Sequence, residues 1–182
     1  MFQVVSGWPL SFEEASEEVR IVDTTGKVVI DERSRKWCTL PYPDHPKGCP
    51  NYGKKDVCPP MAPLVSDFID LSKTHWLAVY RFDIALHEER MQERKARSRR
   101  QARNPLYWQG WVRARLRDAC DGFCRREAET LVYTLIPEAM GVNVFRTVIP
   151  LGLKIKTRPE KYIYKVALIG YCAKQKCLQD FL

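Results

Sequence analysis

Long apolar runs are missing from this chain of 182 residues. No 18 consecutive positions are apolar, which excludes a conventional membrane span. The N-terminal stretch MFQVVSGWPLSFEE has neither the basic start nor the apolar core of a secretory signal, so we expect a cytoplasmic protein. A glycine-rich phosphate loop, a His-Glu-x-x-His pattern and a Ser/His/Asp ordering are also missing. Their absence removes the familiar nucleotide-binding, zinc-protease and hydrolase signatures. There is no internal repeat and no low-complexity linker. Histidine is scarce, at three residues. His75 opens a β-rich run and His87 begins a polar helical run, so both are assigned ordinary roles. His45 alone stands among cysteines.

What is present describes a globular chain. Hydrophobic residues make up 45% and charged residues 29%, an ordinary balance for a folded domain. At this length we expect one α+β domain over residues 1–182, large enough to bury a core without covalent staples. The seven cysteines therefore need another explanation. Their number is odd, and a reducing compartment does not maintain structural disulfides. Metal ligands, catalytic thiols and small buried side chains remain.

Local patterns set out the elements. Ser11 stands three residues before Glu14, the spacing of a capping box, which predicts a short helix there. Residues 19–31 read as a hairpin around the Thr24-Thr25-Gly26-Lys27 turn. Residues 38–63 are loop, dense in proline, glycine and cysteine. Helical spacing follows over 64–72, and alternation over 75–84 predicts a strand. Residues 86–103 form a polar helical run, closed by Asn104-Pro105. The next helix carries Val112, Leu116, Cys120 and Phe123 on one stripe and is expected to reach about residue 135. Residues 143–149 and 161–171 are β-rich. These elements give a small mixed sheet with packed helices and a Cys/Pro/Gly-rich metal-binding loop at 38–60.

That loop, WCTLPYPDHPKGCPNYGKKDVCPP, carries the main chemical signal. Cys38, Cys49 and Cys58 stand in a C-x10-C-x8-C arrangement. Proline follows Cys49 and Cys58 directly and stiffens the backbone that aims each thiol. Gly48 and Gly53 allow the conformations a loop needs to wrap a bulky centre. Lys47, Lys54 and Lys55 supply positive charge that favours thiolates. The loop has no short C-x2-4-C knuckle of the structural zinc kind. Widely spaced single cysteines suit an iron–sulfur cubane, 4Fe–4S, with zinc as the alternative. Three cysteines leave one corner open, and His45, Cys172, Cys177 or a non-protein ligand are the candidates for it. Cys172 and Cys177 lie at the end of the chain, where ligands and free thiols are equally good readings.

Two stretches in this region carry a resemblance. Cys49-Pro-Asn-Tyr-Gly-Lys-Lys-Asp-Val-Cys58-Pro-Pro resembles the Cys-x-x-Tyr-Gly…Cys-Pro-Pro box of a family of small prokaryotic predicted metal-binding proteins of unknown function. Further on, Pro137-Glu-Ala-Met-Gly-Val-Asn-Val-Phe145-Arg-Thr-Val resembles the same family's Ser-Met-Glu-Ala-x-Gly-Ile-Asp-Val block. The resemblance implies an iron–sulfur centre. Family members often carry a ferredoxin-like cysteine group between these boxes, whereas this chain has only Cys120 and Cys124 there. Cys120 lies on the apolar stripe, so packing is its favoured role. The chain thus resembles a reduced member with a single centre.

Charge supplies the last signal. The formal net charge is +8, yet positions 94–117 hold nine Lys or Arg and no Asp or Glu, so the remainder carries −1. The basic helical segment 90–117 suits an anionic ligand or nucleic acid. Arg97, Arg99, Arg100, Arg103, Arg113 and Arg117 are the candidate anion-binding residues, because guanidinium forks grip phosphate. Trp108 and Trp111 are assigned mainly to packing. The functional expectation is a metal-binding protein holding one iron–sulfur cluster. It would be a non-redox or sulfur-handling enzyme on an anionic, nucleotide-like substrate. An electron carrier and a zinc-stabilised nucleic-acid-binding module are the alternatives.

Overall fold

A computed structural model describes residues 2–5, 18–42, 45–128 and 130–173. Its frame is one mixed sheet of five strands: β1 (Phe2–Val5), β2 (Val19–Asp23), β3 (His75–Asp83), β4 (Leu131–Thr134) and β5 (Tyr162–Tyr171). They lie in the order β1-β2-β3-β5-β4. β1 runs parallel to β2, and the other pairings are antiparallel. Among the described residues five α-helices accompany them: α1 (Val65–Phe68), α2 (Ile84–Lys95), α3 (Arg99–Ala102), α4 (Gln109–Glu127) and α5 (Val144–Val148). This is the α+β architecture expected. Among the described residues no helix is long and apolar enough to cross a membrane.

Alternation along β3 builds two apolar layers, because successive side chains point to opposite faces. Ala78, Tyr80 and Phe82 face α4, where Val112, Leu116, Cys120 and Phe123 are buried as the stripe requires. Each fully buried apolar side chain of this kind contributes about 1.5–3 kcal/mol. Leu77 and Val79 face the other way, onto Val65, Phe68 and Ile69 around α1 and Val144 and Val148 of α5. Trp108 is buried and stacks on Phe82 at 5.3 Å, while Trp111 is 43% exposed and meets Tyr80 edge-on.

Several local expectations are corrected. Residues 28–31 do not return along β2 as a hairpin. Ile30 instead bridges Val142, and the Asp31 N–H donates to the Gly141 carbonyl. Helical structure within 64–72 is limited to α1, after which Ile69 bridges Cys172. The polar run 86–103 is two helices. Ala96 takes a left-handed conformation, φ 46°, and Ser98 opens α3 with a capping box to Gln101. α4 stops at Glu127, and the β-branched and aromatic run Leu131–Thr134 becomes the edge strand β4. The β-rich stretch 143–149 is helical as α5, because the Asn143 side chain accepts from the Arg146 N–H and starts a helix. The helix expected at Ser11 lies outside the described residues.

Candidate metal centre

The cysteine loop is fastened at its entry to the turn that follows β4, and at its exit to its own entry helix. A 3-10 helix, Glu32–Thr39, carries Cys38 near its C-terminus and is capped by Asp31, whose carboxylate accepts from the Arg33 N–H. The buried Ser34 hydroxyl donates to the Glu138 carbonyl at 3.0 Å, tying this helix to the 3-10 turn Pro137–Met140. That turn follows β4 along β5. Trp37 packs edge-on against Phe145 of α5, with centroids 5.6 Å apart. At the far end, Arg35 donates to the carbonyls of Pro60 and Ala62, both at 2.7 Å. One guanidinium therefore holds the loop exit beside the entry helix.

Inside the loop, the Cys49 N–H donates to the Cys38 carbonyl at 2.7 Å. Gly48, at φ +82°, makes this approach, and a Cβ there would lie 2.5 Å from the Cys38 carbonyl oxygen. Cys58 is turned in by its N–H to the Lys55 carbonyl and by the Ala62 N–H to its own carbonyl. All three thiols are free and half-buried. They also feel one another. Burial, then Cys49, Glu138 and Cys58, push the Cys38 thiol up to about 11, against the pull of Lys165. Burial and then Cys49 raise the Cys58 thiol, while Lys55 and Arg113 oppose the shift. The Tyr42 hydroxyl is raised by burial and then by Cys49 and Cys38, which puts its ring beside the same pair.

The three sulfurs thus share one electrostatic neighbourhood. Among the described residues, however, no three or more His, Cys, Asp or Glu side chains are arranged to hold a single metal ion. His45 meets the group at one remove, its ring tilted on Tyr42 with centroids 4.6 Å apart. Cys172 lies just past β5 and is disulfide-bonded. Cys177 lies outside the described residues. Cys120 is fully buried and Cys124 partly so, both packed into the α4 layer rather than into the loop. Burial pushes the Cys124 thiol up to about 11 and the Cys120 thiol higher still.

A family profile described as "Predicted metal-binding protein (DUF2284)" matches residues 21–171. The chain belongs to that family. No curated protein and no solved structure matches it. In this DUF2284 protein the match takes in the loop, the sheet from β2 to β5 and the 3-10 turn that carries Glu138.

The arginines have separate employments. Arg103 donates to Glu88 at 2.7 Å and to the Pro159 and Glu160 carbonyls, which clamps α3 to the segment before β5. Arg99 pairs with the same Glu88 at 3.2 Å. Arg97 lies over the Tyr107 ring and donates to its hydroxyl. Arg117 draws down the Tyr133 hydroxyl, which burial and Asp121 together raise. Arg100 has a partner of its own. Arg113 differs: its Nε is buried with no hydrogen-bond partner, and its charge reaches Cys58.

Glu138, Lys165, Tyr42 and Trp37 were not picked out from the sequence. Glu138 lies inside the second family block, which was a signal. Lys165 sits in a β-rich run and had none. Its ammonium pairs with Glu138 at 3.3 Å, with only 15% of the side chain exposed.

Proposed function

We propose that this DUF2284 protein holds one iron–sulfur cluster of the 4Fe–4S type on Cys38, Cys49 and Cys58. It works there as a non-redox or sulfur-handling enzyme on an anionic substrate. The observation that carries the reading is three free, half-buried thiols in one loop, with Cys49 close enough to act on both Cys38 and Cys58, whose thiols are raised by burial first and then by Cys49. A tetrahedral zinc with bonds of about 2.3 Å draws its sulfurs to within roughly 4 Å of each other. A cubane accepts thiolates spread more widely, because each binds a different iron.

The surroundings fit thiolate ligands. Metal binding releases thiol protons, including those that burial favours on Cys38 and Cys58 in the free protein. Arg113, Lys165 and Lys55 stand where they offset the negative charge that then develops. Arg35 and the Cys49–Cys38 hydrogen bond hold the loop closed. A cluster bound through three cysteines supplies an open iron as a Lewis-acid or sulfur-binding position. Arg113, whose Nε has no hydrogen-bond partner and whose charge reaches Cys58, would hold an anionic group there.

The test is iron, sulfide and zinc content, with a visible spectrum, on protein purified without oxygen. About four irons and four sulfides per chain are expected, lost when Cys38, Cys49 or Cys58 becomes Ser. Cys172→Ser and Cys177→Ser should leave the content intact. If they abolish it, the cluster has a fourth protein ligand and the protein is an electron carrier. One zinc and no sulfide would make the loop a structural staple and refute the enzyme reading.

A further inference from the structure

Beside the cysteine loop the fold leaves a cavity of about 270 Å³ that the ligands do not use. Trp37 forms one wall, one residue before Cys38, and Phe145 stands against it edge-on at 5.6 Å. Tyr162 and Tyr164 of β5 also line it, with the Arg81 guanidinium 4.4 Å from the Tyr162 ring centroid. The lining is mainly apolar. Its charged members are Lys156, Lys165 and Glu138, two cations against one anion, for a net charge of +1. Glu138 and Lys165 are also the pair that acts on the Cys38 thiol.

Size and chemistry select the occupant. Small-molecule sites commonly run from about 300 to 1,000 Å³, and a cavity of about 150 Å³ takes a benzene ring. The volume here therefore suits one ring with a short substituent and is too small for a nucleotide with its phosphates. The perpendicular Trp37–Phe145 wall and the tyrosine rings favour a flat, π-rich body. A net positive lining favours one negative charge. We infer that this cavity is a binding site for a small aromatic monoanion of the arylcarboxylate class, held beside the cysteine loop by the Trp37–Phe145 wall and by Lys156, Lys165 being paired with Glu138.

The inference narrows the substrate class of the proposed function, but the cavity exists in the chain without metal, so the two are tested apart. The full-length protein is titrated with benzoate, benzyl alcohol and benzylammonium and read by saturation-transfer NMR. The titration is done on metal-free protein and repeated after loading with iron and sulfide. Benzoate should bind at about 1 mM, as expected for a fragment of its size, with the alcohol weaker and the ammonium not measurable. Thr157 and Lys156 line the cavity at exposed positions, so substituting them spares the core. Thr157→Trp should fill the cavity and abolish binding. Lys156→Glu should weaken benzoate several-fold and admit benzylammonium. Benzoate binding to metal-free protein, lost in Thr157→Trp, supports the site whichever metal the loop takes. An iron–sulfur spectrum without benzoate binding supports the cluster and overturns the site. Equal binding of all three probes, or binding that survives Thr157→Trp, also overturns it.

Discussion

Replacing Gly48 with Ala should open the cysteine loop without disturbing either apolar layer. Gly48 has φ +82°, and an added Cβ would lie 2.5 Å from the Cys38 carbonyl oxygen, 2.7 Å from the Thr39 carbonyl carbon and 2.8 Å from Thr39 Cα. All three are backbone atoms, so no side chain can swing aside. The left-handed conformation costs an L residue about 1–2 kcal/mol. Separating the two segments to relieve the clash breaks the Cys49 N–H to Cys38 carbonyl bond, for about 1 kcal/mol more. The loop equilibrium then shifts by about 2–3 kcal/mol, roughly 30- to 150-fold. Gly53→Ala is the control in the same loop. Its φ is +69°, but nothing lies within 4 Å of the added Cβ, so only the conformational cost applies. Iodoacetamide labelling of Cys38, followed by mass spectrometry in metal-free reduced protein, reads the opening directly. The expected order is Gly48→Ala fastest, Gly53→Ala intermediate and the native chain slowest. Release of bound metal to a chelator should follow the same order. Native-like labelling in Gly48→Ala, or equal acceleration in both variants, would refute the argument from backbone contact.

Three further outcomes follow from the packing. Arg103→Ala removes the donor to two carbonyls and one of Glu88's two arginine partners, so urea unfolding should show a loss of about 2–3 kcal/mol. Arg103→Lys should restore little of it, because an ammonium cannot reproduce the fork. Cys120→Ser puts a hydroxyl into the apolar layer under α4 and should cost about 1–3 kcal/mol in the same assay, with metal content unchanged. The Cys124 thiol, pushed by burial and Asp121 from 9.0 up to about 11, should stay poorly reactive at pH 8 and label faster only towards pH 11. Because the raised value belongs to the folded state, its stabilising share is present below about pH 9 and is lost as pH rises through 11. Cys124→Ala should flatten that part of the stability profile.

Elements whose pattern depends on burial were legible in the sequence. β3 and β5 lie at the centre of the sheet, and the stripe of α4 is covered along its length, so periodicity and burial agree. Elements decided by partners elsewhere were not. Residues 28–31 look like the return arm of a hairpin, yet Val29 and Asp31 hydrogen-bond within 141–147, more than 100 residues away. The run 143–149 is rich in β-branched residues, but Asn143 caps it as a helix before a strand partner is available. The break at Ala96 has no signal at Ala96 itself, a strong helix former. Its signal lies two residues on, where Ser98 and Gln101 spell a capping box that a continuous helical reading passes over.

For the site, spacing exposed the cysteines but not what surrounds them. Lys54 and Lys55 are visible in the loop, but both are exposed, and water and salt weaken exposed charges. Lys165 and Arg113 are more sheltered, with the Lys165 side chain 15% exposed and the Arg113 Nε buried. Their fields reach the thiols with less screening. They come from the middle of β5 and the first turns of α4, and nothing near either residue in sequence marks it out. In the run 94–117 Arg113 is one basic residue among nine. Only the fold separates it from Arg103, which is spent on holding α3 in place. A loop transplanted with its cysteines and lysines would therefore carry the thiols and lose the two sheltered cations. β5 and α4, more than the loop, supply the sheltered positive charge that acts on Cys38 and Cys58.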